Sequence, residues 1–431
     1  LTSYTSFEDD LSVVFLGNNL EVLRHLPNNS VDSVVTDPPY GLGNIDHHAI
    51  GAITAWAGGD RSYVPATGRG FMGMEWDKFV PPPALWDECF RVLKPGGHLL
   101  SFAGTRTQDL MGISIRFAGF EMRDSIAWVQ SSGFPKSLDV SKAIDKKLGS
   151  EREVVGRKLS VSLVERGYTK DYVTRAEDTG YGTKKAGGLG IDVTAPASKE
   201  AQQWQGWGTA LKPSFEPILV ARKPLSEKTV AANVLRWGVG GMNIDATRIG
   251  SQERDESGSP LGRWTPNFAL AHLDGCKVIG ALDDEIVRNT TEEWSAFGQA
   301  ERPKYESRKF SISTPVYECE AGCVVSELFG YSNPSGGDVT SKYFPTFMYH
   351  KKASKKEKPR VGNSSHVSVK PLELMQWLVR LVTPPNGVVL DPFVGSGTTV
   401  AAARAEGLRG IGIDESEFAI ALTLERIKQE K

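Results

Sequence analysis

Cysteine is scarce in this sequence, with four in 431 residues. So few thiols in so long a chain exclude a disulfide framework as the source of its stability. Long apolar runs are missing too: none approaches the ~18 residues that cross a bilayer, which excludes a helical membrane protein. The opening residues, Leu1-Thr2-Ser3-Tyr4, carry no signal-peptide pattern, so the expectation is a cytoplasmic chain with no membrane partner. Nor is there an excess of one charge. Fifty Lys and Arg oppose 52 Asp and Glu for a net charge of −2, so a uniformly basic nucleic-acid coat is excluded and any polyanion must meet a local patch. Present instead are 40% hydrophobic and 24% charged residues, the balance of a large globular chain able to bury a sizeable core.

The chain is organised around Thr36-Asp37-Pro38-Pro39-Tyr40, which follows the run Val31-Asp32-Ser33-Val34-Val35. That run predicts a short buried strand. The two prolines stop it, because they cannot donate to a sheet ladder or enter a helix. A carboxylate and an aromatic ring are thereby fixed at a strand's carboxyl end, the edge at which open α/β sheets bind ligands. Asp37 and the carbonyl of Pro38 suit acceptance of both N–H groups of an exocyclic amine, and Tyr40 suits stacking on the ring that bears it. Asp, Pro and Tyr also make ordinary turns, so these residues alone leave both readings open.

Helix and strand patterns alternate on either side. Strands are predicted at 13–16, 31–35, 98–102 and 122–129, and helices at 20–26, 84–94 and 108–117. Residues 41–73, rich in glycine and poor in periodic apolar positions, read as a mobile loop over the site. Regularity fades from 142 to 361, except for a strand near 215–222 assigned to the main sheet. At Lys370 the pattern returns, with a helix opening at Pro371, a strand at 388–390, a helix at 400–406 and a strand at 410–414. Such alternation means βαβ units and a mostly parallel sheet. The organisation expected is therefore an N-terminal half over 1–141, an inserted region over 142–361 and a C-terminal half over 362–431.

Between the last two strands runs Asp391-Pro392-Phe393-Val394-Gly395-Ser396-Gly397-Thr398-Thr399. Strand, glycine turn, helix, strand and then Asp414 is the plan of a nucleoside-binding unit. The glycines permit close approach at a helix N-terminus, and the acid accepts from ribose hydroxyls. No Lys follows the second glycine, against a phosphate loop, and the third glycine of a dinucleotide fingerprint is absent. A tight turn in any α/β protein fits the glycine pair equally well.

Taken in this order, the motifs resemble those of the β-class amino DNA methyltransferases, in which Asp-Pro-Pro-Tyr comes first, a target-recognition region follows and Phe-x-Gly-x-Gly comes last. The segment His366-Val367-Ser368-Val369-Lys370-Pro371 is similar to the family's His-Pro-Thr-x-Lys-Pro, departing at Val367 and Ser368; Leu16-Gly17-Asn18 resembles its Gly-Asp. The resemblance implies an α/β fold: a permuted doubly wound Rossmann-like sheet with a large inserted target-recognition region. It implies S-adenosylmethionine as cofactor, held by Asp391, Phe393, Gly395, Gly397, Thr398 and Asp414. His366, Ser368 and Lys370 would lie toward its methionine end and Asn18 toward its adenine. Methyl transfer to the exocyclic amine of a base flipped out of duplex DNA is implied in turn, with Asp37, Pro38, Pro39 and Tyr40 around the amine. Asp in the first motif position leans toward adenine N6. Trp76, Asp77 and Phe79 are further candidates for the base pocket. Rival readings are cytosine-N4 transfer, a catalytically silent DNA-binding regulator, and methylation of RNA or a protein amide. Double-stranded DNA is the expected partner, a cognate restriction endonuclease a further one, and the chain a monomer or homodimer. Through its middle region the resemblance is looser, to methylases of phages and prophages.

That middle region holds two more features. His272-x3-Cys276 and Cys319-x3-Cys323 are two ligand pairs separated by a long segment, as a structural tetrahedral zinc requires, although buried thiols beside a surface His fit the spacing as well. Phage methylases resemble this chain in carrying paired Cys here, which favours zinc. Cys89 lies on a predicted helix face and reads as core. Between Lys342 and Arg360, seven cations meet the single acid Glu357 among interleaved aromatics. Lys351, Lys352, Lys355 and Lys356 are read as DNA-backbone contacts, the alternative being a solvated surface loop.

Overall fold

A computed structural model describes residues 4–43, 46–66, 76–129, 137–159, 190–249, 262–272, 276–291, 305–319, 323, 325, 346–348 and 369–429. The chain forms two compact units, one of Leu1–Ser132 with Ser214–Lys431 and one of Gly133–Pro213. The larger unit opens with β1 (Thr5–Glu8), β2 (Ser12–Leu16), α1 (Asn19–His25), β3 (Val31–Thr36) and α2 (Asp46–Ala57). It continues through α3 (Pro83–Val92), β4 (Leu93–Phe102), α4 (Gln108–Phe117) and β5 (Glu121–Val129). The smaller unit contains α5 (Val140–Leu148), β6 (Val154–Leu159), β7 (Gly190–Thr194) and α6 (Lys199–Gln203). In it, β6 and β7 pair antiparallel, and the buried Asp145 carboxylate accepts from Arg152, from Ser198 Oγ and from the amides of Ala197 and Ser198.

The larger unit resumes with β8 (Phe215–Arg222), α7 (Val230–Trp237), β9 (Phe268–His272), β10 (Lys277–Thr291), β11 (Tyr305–Glu318) and β12 (Thr346–Met348). It ends with α8 (Leu372–Val382), β13 (Val388–Asp391), α9 (Thr398–Ala405), β14 (Arg409–Asp414) and α10 (Glu417–Gln429). Ten strands form one sheet in the order β1-β2-β14-β13-β3-β4-β8-β5-β9-β12. From β2 to β4 the neighbours are parallel; β8 runs antiparallel to both β4 and β5. Two strands from the span read as inserted, β9 and β12, extend the sheet beyond β5. Meanwhile β10 and β11 pair with each other as a separate two-stranded ribbon.

The connectivity makes the fold a permuted doubly wound sheet. The chain leaves β13 through α9 toward β14 on one side, and leaves β3 through α2 and α3 toward β4 on the other. Between β13 and β3 the order therefore reverses, and the carboxyl ends of these two strands flank the crevice where such sheets bind ligands. Helices cover both faces. Val34 and Leu390 pack with α1 to α4, whereas Val35 and Val389, one residue along, pack with α8 and α9. All six residues of β3 are buried, as in a strand covered on both sides. Asp32 is satisfied there by Lys94 at 2.6 Å and the amide of Val388 at 2.8 Å.

The expected mobile loop at 41–73 is corrected in its middle. α2 occupies Asp46–Ala57, with Ala52 and Trp56 in the core and Ala49 and Ile53 packed beside them. Those positions make a helical stripe, while Gly51 lies on the exposed side with open space around it. The glycines sit where a helix tolerates them, and the stripe decides.

Candidate active site

Asp37 follows the last residue of β3, so the strand's end and the two prolines hold its carboxylate over the switch point. Three other side chains converge on it. Lys370, just before α8, brings its ammonium to 2.8 Å from Asp37 Oδ2 and 3.1 Å from Glu216 Oε2. The Tyr40 hydroxyl lies 2.7 Å from Asp37 Oδ1 and 2.9 Å from Glu216 Oε2, and accepts from Lys370 at 3.1 Å. A phenol has one proton, so it donates to one carboxylate at a time. The ammonium also sits 4.7 Å from the centroid of the Phe102 ring.

Burial favours the neutral amine of Lys370, but the two carboxylates outweigh it and raise the ammonium above the usual lysine range. Burial and the same two negative charges push the Tyr40 hydroxyl well above an ordinary phenol, so it remains a neutral donor. The backbone of this corner is gripped from two sides. Buried Asp77 accepts from the amides of Tyr40 at 2.8 Å, Gly41 at 3.0 Å and Leu42 at 3.3 Å, and Thr107 donates to the Tyr40 carbonyl at 2.6 Å.

The glycine turn lies at the carboxyl end of the neighbouring strand, β13. Gly395 and Gly397 adopt φ of +50° and +79°, a region costly for any side chain. A Cβ on Gly397 would also lie 2.9 Å from the Thr423 backbone. Gly397 leaves the N-terminus of α9 without a side-chain cap. Asp414, at the end of β14, accepts from Gly395 N at 3.0 Å and from Ser416 N at 2.9 Å. A carboxylate at this place is the kind of acceptor a ribose hydroxyl needs. An uncapped helix N-terminus, two glycines at positive φ and an acid at the next strand's end fit an adenosyl cofactor.

Asp391 lies inside this turn and is 2% exposed. Its carboxyl accepts from Thr36 Oγ1 at 2.6 Å, Thr399 Oγ1 at 2.6 Å and Phe393 N at 3.1 Å. Burial raises it to about 6 in spite of those bonds. Thr398, also buried, accepts from Arg426. The Asn18 side chain caps α1 through the amides of Leu20 and Glu21. Phe79 is core, whereas Trp76 is exposed. His366, Ser368, Lys351, Lys352, Lys355 and Lys356 lie outside the described residues. His272, Cys276, Cys319 and Cys323 come together away from the turn, their ligand atoms all within 4.8 Å of one another. Cys89 is fully buried in the helix layer, which raises its thiol far above the ordinary range.

Glu216 was not singled out from sequence. Its signal is positional: it stands at the amino end of a strand that runs antiparallel, which delivers it to the edge where the parallel strands end.

A family model described as DNA methylase matches residues 31–425. The Type II methyltransferase M.HindIII of Haemophilus influenzae is 23% identical over 438 aligned positions, 98% of this chain and 96% of its own length. The putative methylase YubD of Escherichia coli is 49% identical over 53 residues, 12% of this chain and 23% of its own. Among solved structures, a cytosine-N4-specific PvuII DNA methyltransferase aligns over 96% of this chain and 86% of its own, with 12% identity and a TM-score of 0.41.

Proposed function

Since the chain belongs to the N6/N4 DNA methylase family, a family of S-adenosylmethionine-dependent DNA methyltransferases, we propose that its target is the exocyclic N6 of adenine in duplex DNA, reached once the base has left the stack. The observation that carries this reading is the position of Asp37: a carboxylate at the end of β3, one strand from the glycine turn that ends β13. An acid here, in the first position of the tetrad, is the support for adenine over cytosine.

S-adenosylmethionine, when bound, supplies an electrophilic methyl group on a sulfonium. Gly395, Gly397 and the N-terminal amides of α9 would hold it, with Asp414 accepting from its ribose. Entry of the base exchanges the Tyr40 hydroxyl for an amine N–H at Asp37 Oδ1. The second N–H goes to the Pro38 carbonyl, and the released Tyr40 ring stacks on the base. Lys370 stays protonated and keeps Asp37 an acceptor beside the second carboxylate, Glu216. Methylation makes the amine a cation that must shed a proton, and Asp37 is the base within reach. Orientation for in-line attack is the main contribution of the site. The lysine-rich stretch with Lys351, Lys352, Lys355 and Lys356 would meet the phosphate backbone, making affinity steeply salt-dependent. A cognate restriction endonuclease would complete the setting in which such enzymes act.

The test is incubation of the full chain with S-adenosylmethionine and unmodified duplex DNA, followed by nucleoside mass spectrometry. N6-methyladenine is the expected product. N4-methylcytosine would replace the base assignment and keep the chemistry; no methylated base on any DNA would leave binding without catalysis.

A further inference from the structure

We propose that His272, Cys276, Cys319 and Cys323 hold a zinc ion that pins the β10–β11 ribbon to the edge of the ten-stranded sheet. The four ligands come from the places such a pin requires. His272 is the last residue of β9, which pairs with β5 in the main sheet. Cys276 immediately precedes β10 and Cys319 immediately follows β11, whose first cross-strand pair is Lys277 with Glu318. The two thiols therefore face each other across the open end of the ribbon, and Cys323 follows four residues on.

The distances match one tetrahedral ion. Zinc bonds of about 2.3 Å to sulfur and about 2.0 Å to nitrogen, at tetrahedral angles, place a nitrogen and a sulfur ligand about 3.5 Å apart and two sulfurs about 3.8 Å apart. His272 Nδ1 lies 3.4 Å from Cys319 Sγ and 3.7 Å from Cys323 Sγ, and no ligand atom of the four is more than 4.8 Å from another. So tight a grouping suits a single ion and leaves no room for a multi-iron cluster. His272, Cys276 and Cys323 are buried and Cys319 partly so, the three cysteines packing among Val129, Leu270 and Val325. A closed, N/S-ligated set in an apolar setting is the form of a structural site, not of a metal that binds substrate.

The need for a pin follows from the topology. Among the described residues, β10 and β11 hydrogen-bond to no other strand, and an isolated two-stranded ribbon is marginal in water. With strands of 15 and 14 residues, the ribbon extends roughly 45–50 Å from its root. A bond network at that root is what would fix its direction relative to β9.

Metal analysis of the full chain, purified without added metal or chelator, should find one zinc per chain, released by a thiol-specific mercurial. Cys276→Ser and Cys319→Ser should retain under a tenth of an equivalent, Cys319→His should keep it, and Cys89→Ala should not change it. Should the serine variants fail to fold, cobalt(II) added to the wild-type apo chain supplies the same readout through thiolate charge-transfer and tetrahedral d–d bands. Hydrogen exchange tests the pin: removing zinc should speed exchange of β10–β11 amides at least tenfold while β3 and β4 stay protected. Wild-type protein with under a tenth of an equivalent and no cobalt spectrum would overturn the site. Unchanged ribbon exchange after zinc removal would overturn the pin.

Discussion

Replacing Lys370 by Met tests the electrostatics of the active site most directly. The ammonium lies 2.8 Å from one carboxylate and 3.1 Å from another, and is itself 8% exposed. At an effective dielectric near 20, an ion pair at that separation is worth about 6 kcal/mol. Asp37 and Glu216 are each a quarter exposed, which weakens the interaction, and removal of one partner from a buried pair costs about 3–5 kcal/mol in practice. A loss near 3 kcal/mol is expected, a fall in Tm of roughly 3 °C for a chain of this size. The chemical consequence is sharper. Without the cation, the carboxylates of Asp37 and Glu216 keep only the Tyr40 hydroxyl between them, and nothing offsets their mutual repulsion. That repulsion moves Asp37 off the position from which it accepts the amine. Transfer of a radiolabelled methyl group to duplex DNA should then fall about 100-fold at pH 7, a rise of about 3 kcal/mol in the barrier. Adding Glu216→Gln removes the competing charge and should restore at least tenfold of the lost rate at pH 7. Calorimetric binding of S-adenosylhomocysteine, run alongside, separates this effect from loss of cofactor. A rate loss untouched by Glu216→Gln would refute the reasoning.

Three further outcomes follow from the same geometry. Asp37→Ala should abolish methyl transfer while leaving cofactor affinity within a few-fold of wild type, as measured by calorimetry; wild-type turnover would sink the amine-acceptor role. Asp77→Ala leaves three backbone amides around Tyr40 without their buried acceptor, so a stability loss of about 3 kcal/mol and a drop of about 100-fold in kcat/KM are expected, with partial rescue by Asp77→Asn. His98, 3% exposed, is depressed to about 4 by desolvation and by Arg222 and Arg123. Since the unfolded chain takes up this proton below about 6.5 and the folded one only near 4, stability is lost as pH falls through that window, by about 3 kcal/mol in total. Asp391, raised to about 6, acts with the opposite sign, stability falling as pH rises from about 4 to 6. The two mask each other in the wild type. Thermal scans of His98→Leu between pH 4.5 and 7 should therefore show its stability relative to wild type rising as pH falls, and a pH-independent difference would contradict the assignment.

Which parts of this site were legible in the sequence depends on whether their logic is local. Prolines after a strand and glycines before a helix constrain the backbone wherever they occur, so the positions of Asp37, Gly395 and Gly397 could be read directly. α2 was obscured because half its buried stripe is alanine and its neighbours are glycine, a composition that hides a 3.6-residue period. Glu216 had no local signature at all, and Asp77, read as a base-pocket candidate, gave no sign of the backbone amides it holds. One matters because β8 reverses direction, the other because it reaches back to amides 35 to 37 residues earlier in the chain. Lys370 could be placed in a motif, but its contacts with Asp37 and Glu216 depend on three segments meeting at one sheet edge.

The permutation sets a physical problem that buried Asp391 addresses. In this chain the amine-binding corner and the glycine turn are separated by hundreds of residues, so connectivity does nothing to align them. Thr36, the residue before Asp37, donates to Asp391 at 2.6 Å across that separation, and Thr399 in the first turn of α9 donates to the other oxygen at 2.6 Å. One carboxyl thus brackets the end of β3 and the start of the helix that follows the turn. In-line transfer loses rate steeply when the reacting atoms are misplaced by about 1 Å. A short, water-excluded bracket between the two halves is therefore worth more to the reaction than its hydrogen bonds are to stability. It also accounts for an acid at the end of β13 that is fully turned inward, while the carboxylate left to meet the substrate, Asp37, begins one residue beyond the bracket.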